Sequence, residues 1–548
     1  MLPAWLFVFA LGVRLLLASI LGFDGLYGQD AFAYVGCAHG ILQMHWGQVP
    51  CGDFYWPLGY PLLAGLFMLV THSEAFGAQL ASAVAGAAIA PLVYWLAIEA
   101  GVAVDSGVAV EAGVAGTAPR GAPSRRDATS QRDARSSGVA AGLIAALCGT
   151  LMLSSIVAMS DAPGLFWATL SACLLLRWER LAGRPPPPAG ASARAPTSTR
   201  GDGFARSVWL ILAAVTLALA VITRWIFAGL LLPFGLFAAL ATLRELRAAR
   251  SEGRGLLRRS VAALLPWAVA ALAFALIVVP QLYINGHSGH PVSSDGWVVS
   301  WNAANAWRTS FDTPSGHFAY RLPPFIFFAE PLFHPAYIFP LLTVCLLWGA
   351  WQLRGSPALI LLGGWIVTLY LYLIGTPQEN MRFGLAFFPP VAVLTGIGIF
   401  CMPMRSVNTR STARWVLLGI SLVAAIPFSY RVIASFDSAA ALQVAAIRYV
   451  QSRLPPAATV VTFELSISLQ HYSDFTVVDL FAQSPDSLRR LVCGNAGAYL
   501  YVDGAKLESQ WAGKSPAEGF HWLRDRIGLT KMGQQGAWTL YRISACSQ

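Results

Sequence analysis

Apolar runs of close to twenty residues, separated by short polar stretches, dominate the first four-fifths of the chain. A bilayer core about 30 Å thick needs ~20 consecutive apolar residues in helical form. The runs at 3–22, 76–99, 139–159, 163–181, 207–223, 226–243, 260–280, 334–352, 357–374, 384–402 and 413–431 therefore predict eleven transmembrane helices. The run 57–72 is shorter and opens Trp56-Pro57-Leu58-Gly59-Tyr60-Pro61, so it reads as an interfacial or re-entrant helix. Residues 1–22 have no basic start, Arg14 interrupts the apolar stretch, and no small-x-small cleavage site follows. That pattern predicts a retained first span rather than a secretory signal.

From about 435 the apolar runs shorten and charge rises. Residues 459–464, 475–480, 498–502 and 537–543 read as strands, and 484–492 and 518–527 as helices. Such alternation predicts a small α/β domain outside the membrane. The expected architecture is a mostly α, polytopic membrane domain over 1–431, followed by an α/β domain over 432–548.

Composition agrees. Of the 548 residues 56% are hydrophobic and only 12% charged, against about 25% charged in soluble domains. The formal net charge of +10 does not imply nucleic acid, because the basic residues lie in loops between apolar runs. Arg120, Arg125, Arg126, Arg132 and Arg135 share one loop, and Arg184, Arg194, Arg200 and Arg206 a second. Arg244, Arg247, Arg250, Arg254, Arg258 and Arg259 share a third. With eleven spans all three fall on one side, which the positive-inside rule makes cytoplasmic. The expected location is the cytoplasmic (inner) membrane, with the N-terminus inside and the C-terminal domain in the periplasm. Loops 23–75 and 281–333 lie outside. The cytoplasmic stretches 101–138 and 183–206 are rich in Ala, Gly, Ser, Pro and Arg, and are expected to be disordered.

Of the eight cysteines, Cys148, Cys173, Cys345 and Cys401 sit in spans. Cys37 and Cys51 share the first external loop, and Cys493 and Cys546 the C-terminal domain. Two local pairs in an oxidising compartment suggest two disulfides.

Candidate chemistry clusters at the outer surface. Asp30 lies shortly after the first span, among aromatic residues that include Tyr34 and, further on, Tyr60. A carboxylate there can take a proton from a hydroxyl or hold a metal, or simply cap a juxtamembrane helix. Asp161, in Ser160-Asp161-Ala162-Pro163, sits in a tight external turn, where it serves either chemistry or a helix start. Arg224 and Arg382 break the positive-inside pattern. Each needs an acid partner, such as Glu379, or a phosphate held bidentately. Arg14, inside a span, must face protein or a cavity. The loop 281–333 carries His287, His290, Asp295, Trp297, Trp301, Trp307 and His317, suited to sugar, headgroup or interfacial packing, without the spacing of a metal site. No phosphate-binding glycine loop, dinucleotide fingerprint or catalytic serine signature occurs.

In order and layout these pieces resemble the C-type membrane glycosyltransferases (GT-C fold), above all the protein O-mannosyltransferase and aminoarabinose-transferase group of bacteria. The resemblance runs through the whole membrane part. It is carried by Asp30 in the first external loop, Pro57-Leu58-Gly59-Tyr60-Pro61-Leu62-Leu63, Ser160-Asp161, Thr223-Arg224, and Arg382 before Phe388-Pro389-Pro390. It implies inverting transfer of a sugar from a polyprenyl-phosphate donor to a glycan, lipid or protein acceptor outside the cytoplasm. Asp30 would be the base or acceptor-positioning group, with Asp161 as second acid. Arg224 and Arg382 would hold the donor phosphate, and Tyr34 and Tyr60 would contact substrate. The chain departs from the group in having Asp30-Ala31 for an acidic pair, and Tyr55-Trp56 where the aminoarabinose branch has a metal-holding Glu. A divalent metal is therefore possible but not required, with Asp53 at a different offset. A lipid or glycolipid transporter or flippase is the alternative, although no internal repeat is visible. A membrane scaffold or receptor would give the outer-surface charges no common purpose.

Overall fold

The computed structural model describes residues 1–43, 56–111, 125–182, 199–251, 256–287, 300–403, 410–494 and 497–544. Each expected span contains a helix, although the one expected over 334–352 is helical only over Leu341–Gln352. Among the described residues eight helices are long and apolar enough to cross a membrane, and a ninth candidate is a bent pair, Asp133–Leu147 with Gly149–Ile156. Helix Asp161–Ala182 and the short Leu341–Gln352 occupy the other two expected positions. The chain is a multi-pass membrane protein. Helix Leu2–Leu21 exposes Trp5, Val8, Leu15, Leu16 and Ile20, an apolar face that suits lipid and not water.

One helix is enclosed on all sides. Every residue from Phe388 to Phe400 is buried, because small residues let its neighbours approach backbone to backbone. A Cβ on Gly398 would lie 1.7 Å from the Cys345 carbonyl oxygen, and one on Gly349 1.9 Å from that of Leu394. Trp365 closes the other side, its indole Nε1 donating to the Ala386 carbonyl at 2.8 Å.

The bend, 55° at Cys148, frees backbone groups that lipid could not satisfy. Arg14 is fully buried beside it, and its Nη1 donates to Ala10 O at 2.9 Å and Ala146 O at 3.3 Å. The Ala336 carbonyl accepts from Thr150 N at 3.2 Å on the far side. Arg14 thus faces protein, as a charge in a span must.

Helix Arg410–Arg453 does not stop near 431, where its apolar run ends, but continues unbroken past that point. The expected boundary at 432 falls inside it. The C-terminal domain is built on this extension as a five-stranded sheet, with strands β3 (Thr459–Thr462), β4 (Thr476–Asp479), β5 (Tyr499–Val502), β6 (Leu529–Gln535) and β7 (Trp538–Ile543) in the order β4-β3-β5-β7-β6. Strand β3 is parallel to β4 and β5, and β7 antiparallel to β5 and β6. Central β5 is buried at every position. Strand β6, largely exposed and polar, gave no apolar signal.

The stretches expected to be disordered are partly helical. Residues 101–111, 125–138 and 199–206 extend neighbouring helices. The rest of both stretches lies outside the described residues. In the 281–333 segment, β1 (Ser310–Thr313) and β2 (Gly316–Ala319) form a hairpin that was not foreseen. It docks on the C-terminal domain through His317 N to Gln510 O at 2.6 Å and a Lys514–Asp312 ion pair at 2.6 Å. His287 ends a helix, His290, Asp295 and Trp297 lie outside the described residues, and Trp301 donates to Tyr372 O.

The close helix contact predicts that Gly398→Val lowers the melting temperature in detergent, since overpacking costs typically ~1–3 kcal/mol. Gly419→Ala, with nothing within 4 Å of its Cβ, should leave melting unchanged or slightly raised. Equal melting of both variants would contradict the packing described.

Candidate active site

The enclosed helix ends at the domain-bearing end of the bundle in a short turn, Met381–Gly384, capped by the Asn380 side chain on Arg382 N at 3.1 Å. This fixes Arg382. Its Nη2 donates to Asp30 Oδ2 at 2.8 Å and its Nη1 to Met159 Sδ at 2.7 Å. The partner of Arg382 is thus Asp30, and not the neighbouring Glu379.

Asp30 comes from helix Gly28–Leu42, whose start is shaped by Gly28 at φ 70°, a left-handed value natural for glycine. The Gly28 N–H donates to Gln443 Oε1 at 3.1 Å, on the extension of the long helix. Asp30 lies in the first helical turn, but the cap position is Tyr27, which makes no side-chain cap. Its carboxylate meets a guanidinium, so it does not cap this helix.

Arg224 sits in an extended break between helix Thr199–Thr223 and the turn Trp225–Leu230. Gly59 makes room there, as a Cβ on it would lie 2.6 Å from Ile222 O. Arg224 Nη1 pairs with Asp161 Oδ1 at 2.9 Å and also donates to Ser160 Oγ at 3.3 Å. The Phe383 ring lies beside both arginines, with guanidinium carbons 5.5 Å (Arg224) and 5.3 Å (Arg382) from its centroid, within cation–π range.

These groups open onto a cavity of about 980 Å³ between the helix ends and the C-terminal domain. Asp30, Tyr34, Arg224 and Arg382 all line it. Asp161 does not: only 6% exposed, it stands behind Arg224 with Oδ2 unpartnered. Tyr60 is not a wall residue either. It is fully buried, its hydroxyl 2.9 Å from both Ala78 O and Ser82 Oγ, and its ring packs edge-on against Tyr34 at 4.9 Å. The Tyr34 hydroxyl is 2.9 Å from Ser160 Oγ. Burial, and then the charge of Asp30, hold the Tyr34 phenol above its usual range, so it acts as a hydrogen-bonding group rather than a base.

Sequence reasoning quoted Ser160 only as the neighbour of Asp161, and did not single out Phe383 or Gln443, nor the domain wall of the cavity, which includes Glu464, Asp479 and Trp511. Nothing local in those other residues signals a site.

A metal finds no ready seat. Among the described residues no group of three or more His, Cys, Asp or Glu comes together. Asp30 is held by Arg382, Glu464 by Lys506 at 2.7 Å, and Asp479 accepts from Ser466 Oγ at 2.6 Å. Asp53 lies outside the described residues. Cys37 and Cys493 are each disulfide-bonded, while Cys51 and Cys546 fall outside the described residues. Cys148, Cys173, Cys345 and Cys401 form no disulfide.

With this geometry in hand, similarity to known proteins becomes informative. Residues 130–286 match the family model of dolichyl-phosphate-mannose-protein mannosyltransferases. ArnT from Cupriavidus metallidurans in the apo state superposes with a TM-score of 0.53 at 14% identity, covering 97% of each chain. Its undecaprenyl phosphate-bound form gives 0.54 at 13% identity, covering 98% of each. An Archaeoglobus fulgidus oligosaccharyltransferase tethered to an acceptor peptide gives 0.52 at 12% identity, over the whole of this chain and 74% of that one. The chain has the C-type membrane glycosyltransferase fold. No curated protein matches it in sequence.

A second acidic pair stands outside this cavity. Burial raises the carboxyls of Glu330 and Glu379 to about 7, Glu379 with a further contribution from the charge of Glu330. One oxygen of each is buried without a partner. In this GT-C-fold protein the native state keeps these protons where the unfolded chain, near its ordinary 4.5, has lost them. Their stabilisation is full below that value and is lost as pH rises through about 7. The melting temperature should therefore fall between about pH 5 and about pH 8, and Glu330→Gln or Glu379→Gln should flatten that fall. An undiminished slope in both variants would contradict the assignment.

Proposed function

We propose that this chain transfers a sugar, with inversion, from a polyprenyl-phosphate donor to an acceptor on the extracytoplasmic side of the membrane. One observation carries the reading: a carboxylate, Asp30, and two guanidiniums, Arg224 and Arg382, share one cavity at the junction of the helix ends and the C-terminal domain. A lipid phosphate lying among the helix ends would reach the arginines, while a polar acceptor would enter from the domain side. The undecaprenyl phosphate of the C. metallidurans ArnT structure is a ligand of the expected chemistry.

The chemistry follows from the charges. An acceptor hydroxyl attacks the anomeric carbon as the bond from that carbon to the phosphate oxygen breaks. The hydroxyl proton passes to Asp30, and the polyprenyl phosphate leaves with the bonding electrons. Negative charge grows on the phosphate, and cations already in position stabilise it most where water is scarce. The donor phosphate competes with Asp30 for Arg382, so its arrival frees the carboxylate to face the hydroxyl. Asp161, behind Arg224 and away from the cavity, orients that guanidinium and does not touch the sugar. With Asp161 so placed, Asp30 is the one of these two carboxylates that lines the cavity, which favours single displacement and hence inversion. No step needs a metal.

The orientation rests on the arginine-rich loops, which put the opposite end of the bundle in the cytoplasm. The C-terminal domain and the cavity would then be periplasmic, where disulfides at Cys37 and Cys493 would be stable.

Full-length protein in nanodiscs tests this. Asp30→Asn should melt like the wild type and lose about 100- to 10,000-fold in transfer rate, the usual worth of a general base. Arg382→Gln should weaken undecaprenyl phosphate binding about 10- to 100-fold, as expected for a lost charge-assisted hydrogen bond. Full activity of Asp30→Asn would reject the role of Asp30. Unchanged undecaprenyl phosphate binding by both Arg382→Gln and Arg224→Gln would reject the donor site.

A further inference from the structure

The cavity has two chemically opposite walls. The helix-end wall carries Arg224 and Arg382, whereas the domain wall carries Phe463, Glu464, Asp479, Phe481 and Trp511. Trp511 is only 7% exposed, and its indole Nε1 is a buried donor with no partner. An unsatisfied buried donor is costly, and a small shift of the ring that brings Nε1 to the cavity surface would let the acceptor atom of an occupant satisfy it. The Trp511 ring is fixed edge-on by Phe463 at 4.8 Å and Phe481 at 5.9 Å. Beside it, Glu464 holds a left-handed backbone with φ 65°, a strain that clusters at functional positions in non-glycine residues. Lys506 pins its carboxylate at 2.7 Å.

We propose that this wall is the acceptor subsite of the transferase and that it takes a carbohydrate, neutral or amino-bearing, rather than a peptide or an anionic headgroup. The inference rests on the transferase reading and adds the acceptor class to it. Sugars offer an apolar C–H face and a rim of hydroxyls. Aromatic rings pack against the face, and carboxylates accept from the rim while Trp511 Nε1 donates to it. Glu464 is already paired with Lys506, and the Asp479 carboxylate repels phosphate and carboxylate groups, so anionic ligands are drawn to the arginine wall. One cavity can then hold a phosphate-bearing donor and a hydroxyl-bearing acceptor without exchanging their places.

The wall belongs to a domain tied to the catalytic helix. Tyr472 donates to Asp24 Oδ2 at 2.7 Å, and Phe32 packs edge-on against Tyr472 at 5.6 Å. A sugar held by the domain is therefore held in a fixed relation to Asp30.

Binding to full-length protein in nanodiscs is the test, with a neutral glucan tetrasaccharide, a chitosan tetramer, a Ser/Thr-containing peptide and undecaprenyl phosphate as separate probes. At least one of the two oligosaccharides should bind. Trp511→Phe, which keeps the ring and removes the donor, should weaken that binding about 2- to 10-fold. Glu464→Gln should weaken it as well, most for the chitosan tetramer. Both variants should bind undecaprenyl phosphate like the wild type, and Arg382→Gln should do the reverse. Three outcomes overturn the subsite: neither oligosaccharide binds, only the peptide binds, or oligosaccharide affinity is unchanged in both domain-wall variants. Loss of the arginine dependence of undecaprenyl phosphate binding would instead overturn the donor site, so the two failures are distinguishable. Wild-type melting of each variant, measured in parallel, separates lost contacts from lost folding.

Discussion

The ion pair between Arg382 and Asp30 joins the parts of this protein that matter for chemistry. Arg382 stands at the end of a helix enclosed by protein on every side, yet its own side chain lines the cavity and is 24% exposed. Asp30 meets it from a short helix that the C-terminal domain holds through Gln443 and Tyr472. Membrane bundle, surface helix and extramembrane domain thus converge on one charge-assisted hydrogen bond of 2.8 Å. In the proposed mechanism a donor phosphate competes for that guanidinium, which would make a structural contact into a device that responds to substrate.

In the proposed mechanism the two carboxylates of the site divide the work because their surroundings differ. Asp161 is buried behind Arg224 and aims it, while Asp30 is partly exposed and lines the cavity. Phe383 sets both guanidiniums beside a single apolar ring. The cations are thereby arranged before any ligand arrives, and preorganisation of that kind is worth more than new bonding at the moment of reaction. The opposite wall, acidic and aromatic, supplies contrast, and a cavity with charge of one sign throughout would not discriminate between its two ends.

Much of this was legible along the chain because membranes impose strict rules. Spans could be read from apolar run length, and Arg224 and Arg382 stood out because topology discourages cations at the outer surface. What was missed has physical reasons too. Helix Arg410–Arg453 runs past its apolar segment because backbone hydrogen bonding continues after the lipid ends, and hydropathy does not register that. Strand β6 pairs only with β7 at the sheet edge, so its sequence carries no buried alternation. Tyr60 shares a conspicuous aromatic motif with the cavity segment, yet its hydroxyl is spent on Ala78 and Ser82.

The sequence by itself determined that this chain lives in a membrane, that a small α/β domain follows the bundle, and which few charges needed an explanation. Only the tertiary structure decided which of those charges meet. Arg382 finds Asp30, 352 residues away, and Arg224 finds Asp161, while Glu379 is left with one buried oxygen unpartnered. Periodicity and hydropathy are local properties, set by the next few residues and the solvent. Ion pairing and a two-sided cavity depend on how distant helix ends are brought together, and packing of the enclosed helix and of the domain above it settles that.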